Sequence, residues 1–506
     1  MALNAQQTAV VDAICNGTES INVIARAGCG KTFVLVEGVI KAIVDNRLGS
    51  AIIMAFNKKA AVEFETRIAK MGAAYTAVDS GTVHSIGLRA WKAAAGRIKV
   101  DGYKVANLIQ DRARSDELYA TYGNVIRQLV SLAKQSGIGI TSAVEDFAAW
   151  NEIYEHHDLD ANGATVEVIE AAQKIFNESA ATINTVVDFD DMIWAPLFKN
   201  VRVGQYDFVL IDEAQDTNTT RRMLALRMLK PNGRLIAVGD DRQAIYGFTG
   251  ADADSLDLIR EAMGSIVLPL NTTYRCPKAV VAEANRLVPD LNAHESAPDG
   301  SVSRMEEIDA NEAWWFERAG LTANDVALCR NTKPLVEAAY SMIRKNIGCR
   351  VEGRDIGEGL IALATKWKRV VTLGALAERL DEYKLTEMAK WEGKKNAAKT
   401  QAIEDRCETL QVIIDNLLTK GLTTVDDLKA HIRSLFNDTP EGQTAKVFTL
   451  STIHKSKGRE WERVFFLHRN KTLPSRYATQ EWQLLQETNL EYVAITRAKS
   501  ALIYVD

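Results

Sequence analysis

Two short stretches of this chain hold residue types that can handle a phosphate. The first is Gly28-Cys29-Gly30-Lys31-Thr32. Bare backbone N–H groups in such a turn can point at an anion, and the start of a following helix adds positive potential. Gly28 and Gly30 permit close backbone approach, Lys31 can reach outer phosphates, and Thr32 offers a hydroxyl to Mg²⁺. The ending Gly-Lys-Thr is that of a Walker A loop, with Ala25 standing where the general pattern has its first glycine. Taken alone, the stretch also fits a small-residue turn at a strand end. The second stretch is Asp212-Glu213, which follows the apolar run Phe208-Val209-Leu210-Ile211. Phosphoryl transfer asks for one carboxylate to hold Mg²⁺ and another to polarise the attacking water, and adjacent acids at a strand tip supply both. An acidic strand end is the plain alternative. In a chain that already carries the loop, ATP hydrolysis is the reading that uses both stretches.

Strands and helices must hold these groups in place. Ile21, Val23 and Ile24 predict a short strand ahead of the loop, and Phe33-Val34-Leu35-Val36 opens a helix after it. Ala51–Phe56 reads as a second buried strand, with a helix following through Arg67, and Gly81-Thr82-Val83-His84-Ser85 repeats the pattern. Open α/β sheets bind ligands at the carboxyl ends of their strands. Phe56 and His84 are therefore candidates for contact with a nucleic acid strand; each taken alone reads first as a packed aromatic or a helix cap. Near the start, Asn4 can cap a helix that carries Gln7. An amide has both a donor and an acceptor, so Gln7 beside a phosphate loop can read the edge of adenine. Away from such a loop it would be an ordinary surface residue.

Composition narrows the classes. A chain of 506 residues is too long for one core. With 47% hydrophobic and 25% charged residues it has the balance of a soluble globular protein. It has no apolar run long enough to span a bilayer and no leader-like start, so a membrane is not an expected partner. The six cysteines form no CxxC pair, which argues against zinc or iron–sulfur sites and for a reducing compartment, cytoplasmic or, in a eukaryote, nuclear. Net charge is −5, so any nucleic-acid surface must be a local groove. Helical periodicity without evident strands marks 92–181, through Val125, Leu129 and Leu132 and again Val166, Ile169, Ala172 and Ile175. A second mainly helical stretch, 351–439, includes Lys366-Trp367-Lys368-Arg369 and Trp391-Glu392-Gly393-Lys394-Lys395. Such a mixture suits contact with phosphates and bases, or equally an amphipathic helix with a solvated face.

The whole series of motifs resembles a superfamily 1 DNA helicase of the UvrD/Rep/PcrA type. The segments that carry the resemblance run from Leu3 to Ala498: the Gln7 segment, Ala25–Thr32, Ala55–Arg67, Thr82–Ser85, Asp190-Asp191, Asp212–Asp216, Val238–Phe248, Asn271–Arg275, Leu450–Glu460 and Glu487–Ala498. The resemblance implies an α/β fold of two RecA-like P-loop motors, parallel sheets flanked by helices, each with a mainly helical insertion. The first motor would take 1–91 and 182–268 with its insertion at 92–181; the second would take 269–350 and 440–506 with its insertion at 351–439. It further implies that Gln243 senses the γ-phosphate and that Arg275 and Arg497 reach it from the second motor. Tyr274 and Phe33 would lie against the adenine, and Glu460 would bind the ribose. Phe56, His84, Tyr246, Phe248, Thr452 and His454 match positions that line the single-strand path. ATP and Mg²⁺ are the implied cofactors. Single-stranded DNA and single-strand/duplex junctions are the implied partners, with 3′→5′ movement, an optional protein partner, and a monomer or weak oligomer as the working state.

Several positions depart from the pattern. Arg26 stands where the family often has glycine, and its side chain is expected to point away from the loop. Phe33 replaces an arginine beside the base, so stacking would replace a cation–π contact. Gly247 and Thr249 replace arginines common in the third motif. The sequence stops at Asp506, where relatives continue into a duplex-separating hairpin, so translocation is a firmer expectation than efficient unwinding, and a fused nuclease is not expected. An RNA helicase on the same scaffold, or a regulatory ATPase subunit that clamps nucleic acid, are the rival functions. Intact Lys31, Asp212, Glu213, Arg275 and Arg497 weigh against the clamp.

Overall fold

Short apolar runs that end in polar turns become the strands of two parallel sheets, as their near-continuous hydrophobicity predicts for strands covered on both faces. The computed structural model describes residues 3–44, 49–56, 58–69, 77–157, 159–161, 163–247, 250, 254–308, 313–345, 347–393, 397–436 and 447–506. The chain divides into two units, Met1–Asn271 and Thr272–Asp506.

In the first unit the sheet order is Val78–Thr82, Ala51–Ala55, Tyr206–Ile211, Leu229–Gly239, Ile21–Ala25, Ile266–Leu270. Every neighbouring pair is parallel. Ala51–Ala55 is buried along its whole length. Ile266–Leu270 lies at the edge, where Pro269 costs no ladder hydrogen bond. Register matters most in the centre. Ile24 pairs with Gly239, and Ile211 with Ala237, so the loop after Ala25, the acids after Ile211 and Asp240 all leave the sheet at one edge.

Between the strands at Val78–Thr82 and Tyr206–Ile211 lie helices Lys104–Arg112, Glu117–Ser136, Phe147–His156 and Thr165–Ala181, which enclose a core of their own. Trp150 meets Phe176 edge to face at 5.5 Å, and Phe176 meets Trp194 at 5.0 Å. One feature departs from the helical reading of this stretch: Lys99–Val100 pairs in parallel with Val186–Val187. Strands of two residues are too short to show alternation in a sequence. Two lysines are buried among the helices. Lys134 lies 2.7 Å from both Asp188 and Asp191, and Lys104 lies 2.7 Å from Asp191. Opposed charges at that distance are what make such burial tolerable.

In the second unit the order is Ser301–Met305, Ala498–Val505, Trp461–Leu467, Val326–Cys329, Phe448–Thr452, Cys349–Val351, again all parallel. Helices Arg354–Ala364, Leu373–Gly393, Ala397–Thr419 and Val425–Leu435 follow the last of these in the chain and pack into the same core. Trp391 is buried, its indole N–H donating to Glu387 Oε2 at 3.0 Å. That takes it out of reach of a base, whereas Lys368 and Arg369 are exposed. The α/β architecture expected from the sequence is present in both units.

Candidate functional site

The loop of the first unit turns on two glycines in the left-handed region, Gly28 at φ 73° and Gly30 at φ 81°. Helix Lys31–Val44 starts directly after them, with Thr32 in its first turn. A side chain at Gly30 would be strained by this φ and would place a Cβ 3.2 Å from Gln7 Nε2. Lys31 Nζ donates to Glu213 Oε2 at 2.8 Å. Burial works against the lysine's charge, but Glu213, Asp212 and Asp240 outweigh it and hold the ammonium above its ordinary pKa. Glu213 itself has φ 51°, a left-handed conformation that a non-glycine residue adopts at a cost of about 1–3 kcal/mol. The turn at the strand tip thereby aims the carboxylate at the loop.

A hydrogen-bonded chain continues from Glu213. Gln215 Nε2 donates to Glu213 Oε2 at 2.6 Å, while Gln215 Oε1 accepts from the Asp240 backbone N–H at 3.0 Å. Gln243 Nε2 donates to Asp240 Oδ2 at 2.6 Å. The Arg26 side chain leaves the loop, as expected, and is buried, donating to Asp240 Oδ1 at 3.1 Å and Asp241 Oδ1 at 2.5 Å. Gln7 uses both ends of its amide: Oε1 accepts from the Asn4 backbone N–H at 3.1 Å, and Nε2 donates to the Cys29 carbonyl at 3.3 Å. It thus ties the first helix to the loop.

A second group gathers on the same sheet edge. Phe56 stacks on Tyr246 with centroids 6.2 Å apart and planes 13° apart, and the Arg221 guanidinium lies 5.5 Å from the Phe56 centroid. Arg221 is anchored by a 3.0 Å bond to the Asp216 carbonyl. His84 meets Phe189 edge to face at 6.5 Å, and Phe189 is 59% exposed. Sequence reasoning passed over both Arg221 and Phe189. Their signals were an arginine pair at the start of the helix after the acidic strand tip and an aromatic beside Asp190-Asp191. Phe248 lies outside the described residues.

Two histidines of the site, His84 and His454, are held towards the neutral form. Burial, then repulsion from Arg221, pushes His84 from 6.5 down to about 4; burial, then Arg330 and Lys457, pushes His454 to about 3. Below pH 6.5 the unfolded chain therefore takes up protons that these folded imidazoles refuse, and stability falls with pH across that window. The melting temperature is expected to drop between pH 6.5 and 4.5, and to drop less in His84→Gln. Parallel losses in variant and wild type would contradict the assignment.

The second unit gathers its own set. Arg275 Nε donates to Glu460 Oε2 at 2.6 Å, and Lys499 Nζ meets Glu460 Oε1 at 2.7 Å. Tyr274 is 38% exposed, its ring 4.7 Å from that of His294. Arg497 is only 1% exposed; its Nε donates to the Val493 carbonyl at 2.9 Å and its Nη1 to the Arg459 carbonyl at 3.1 Å. Thr452 caps helix Ile453–Ser456, accepting from the Lys455 N–H at 3.4 Å, which leaves half-buried His454 on the first turn.

The first-unit residues suit a nucleotide with Mg²⁺. A glycine turn, a lysine at a helix start and the hard oxygens of Thr32 and Asp212 are the donors such a group requires. Comparison with known proteins agrees with that chemistry. Residues 3–263 match the model of the UvrD/REP helicase N-terminal domain, and residues 142–505 that of the UvrD-like helicase C-terminal domain. The chain is 24% identical to ATP-dependent DNA helicase UvrD2 of Mycobacterium tuberculosis, over 94% of this chain and 75% of the relative. It is 22% identical to DNA helicase II of Escherichia coli, over 97% of this chain and 83% of the relative. A shorter match, 27% identical over 57% of this chain and 44% of the relative, is to ATP-dependent DNA helicase Rep of Buchnera aphidicola.

Proposed function

We propose that this chain, which belongs to the UvrD/REP helicase family, hydrolyses ATP to move 3′→5′ along single-stranded DNA and to separate strands at single-strand/duplex junctions. The observation that carries this reading is the 2.8 Å pairing of Lys31 with Glu213. It forms on the sheet edge that also presents Phe56, Tyr246 and His84. Fuel site and strand site then share one rigid support.

Lys31 is the hinge of the chemistry. An incoming terminal phosphate offers its ammonium a more highly charged partner than Glu213, and the exchange frees Glu213 to polarise a water. Mg²⁺, when bound by Thr32 and Asp212, neutralises charge on the phosphates. Gln243 orients towards the terminal phosphate, and Arg275 and Arg497 supply guanidinium charge to the transferring group. Gln7, Phe33, Tyr274 and Glu460 hold the adenine and ribose. Phe56, His84, Tyr246, Phe248, Thr452 and His454 line the strand path, joined by Arg221 and Phe189. The segments 92–181 and 351–439 are helical insertions in the two motors.

Two assays test the proposal. ATP hydrolysis at low salt should rise strongly with single-stranded DNA and much less with duplex DNA or single-stranded RNA. Turnover indifferent to all three would favour a regulatory ATPase instead. A 3′-tailed duplex should be displaced faster than a 5′-tailed one, and the reverse preference would overturn the direction.

A further inference from the structure

Arg26 is the one residue of the phosphate loop whose long side chain is buried across the sheet edge. Its reach follows from register. Ile24 pairs with Gly239, so the chain leaving Ala25 runs level with Asp240, and a guanidinium one residue later meets that carboxylate. Asp240 is fully buried, and its two oxygens have different duties: Oδ1 accepts from Arg26 at 3.1 Å and Oδ2 from Gln243 at 2.6 Å. The same Arg26 nitrogen reaches Asp241 Oδ1, whose other oxygen lies 3.2 Å from Arg242 Nε.

We propose that Arg26 is a positioning residue for ATP hydrolysis: it fixes the Asp240 carboxylate from the phosphate loop, and Asp240 in turn sets the orientation of Gln243. A shift of the loop on nucleotide binding is thereby passed to Gln243 by one buried ion pair. The backbone N–H of Asp240 bonds Gln215, which bonds Glu213, so Arg26 steadies the water-polarising side of the site as well. Burial pushes the Asp240 carboxyl above its ordinary pKa, Lys31 and Arg26 oppose that push, and Asp241 adds to it. Loss of Arg26 removes one of the two opposing cations and leaves Oδ1 held from its own turn, by the Arg242 backbone N–H at 3.2 Å. Lysine is only a partial substitute, because it is a point charge and lacks the planar fork. This inference rests on the proposed ATPase function and on Gln243 facing the terminal phosphate.

The test is a double-mutant cycle on single-strand-stimulated hydrolysis, using the full chain and comparing Arg26→Ala, Gln243→Ala and the pair. Arg26→Ala is expected to lower kcat at least tenfold with KM for ATP changed less than threefold. The double variant should be no slower than Gln243→Ala alone. Added guanidinium ion should restore several-fold activity to Arg26→Ala and none to Gln243→Ala. Arg26→Lys, which keeps the charge and serves if the alanine variant does not fold, should keep the melting temperature and lose kcat several-fold. A kcat within twofold of wild type in a folded Arg26 variant, additive losses in the cycle, or loss confined to KM would each overturn the inference. A wild-type chain that hydrolyses no ATP would overturn the proposed function and this inference together.

Discussion

Glu213→Gln is expected to reduce ATP hydrolysis by about 10²–10⁴-fold, the usual range for losing a positioned proton acceptor. The amide keeps the shape of the carboxylate but can neither hold the Lys31 ammonium by charge nor polarise a water. Lys31→Ala is expected to cost about 10²–10³-fold in kcat, as removal of a preorganised charge at a developing anion does. The two variants should differ in binding. Glu213→Gln leaves Lys31 for the phosphates, so ATP affinity holds or rises. Lys31→Ala removes a phosphate contact and takes the 2.8 Å ammonium partner from half-buried Glu213, so affinity falls. Steady-state hydrolysis with a fluorescent-nucleotide titration separates the two effects, and a thermal melt checks the fold. Unchanged hydrolysis in either folded variant would show that the site is misassigned.

Phe56→Ala is expected to raise the single-stranded DNA concentration for half-maximal stimulation about 5- to 150-fold. That range is base–aromatic stacking of about 1–3 kcal/mol expressed as affinity. The ring does more than offer a face of its own. It touches both Tyr246 and the Arg221 guanidinium, so its removal takes a support from an aromatic and a cation together. Arg221→Ala should then weaken the strand less than Phe56→Ala does, and the two losses should not add, since neighbouring groups share one contact. Equal half-maximal concentrations in wild type and Phe56→Ala would remove Phe56 from the strand path.

The local geometry of the candidate site was legible wherever it depends on residues adjacent in the chain. Gly28 to Thr32 and Asp212-Glu213 could be read because a turn, a helix start and a strand tip are local events. The buried strands Ala51–Ala55 and Tyr206–Ile211 announced themselves by apolar runs. The α/β class follows from strand and helix alternating in order. Helical periodicity likewise marked the residues that pack around Trp150 and Phe176.

What the sequence could not decide is which distant side chains meet. Arg26 looked like a harmless replacement for glycine, because nothing near it in the chain is its partner; Asp240 is 214 residues away. The pairing of Ile24 with Gly239 brings them together, and a shift of one residue would have turned that side chain elsewhere. The same holds for Arg221 against Phe56, for Lys134 among its aspartates, and for Trp391, whose exposed-looking basic context conceals a packed indole. Sequence determined which groups are able to do chemistry and the elements that carry them. Sheet register and burial decided which of those groups touch, because contact between remote residues is set by how whole strands align and not by any local preference.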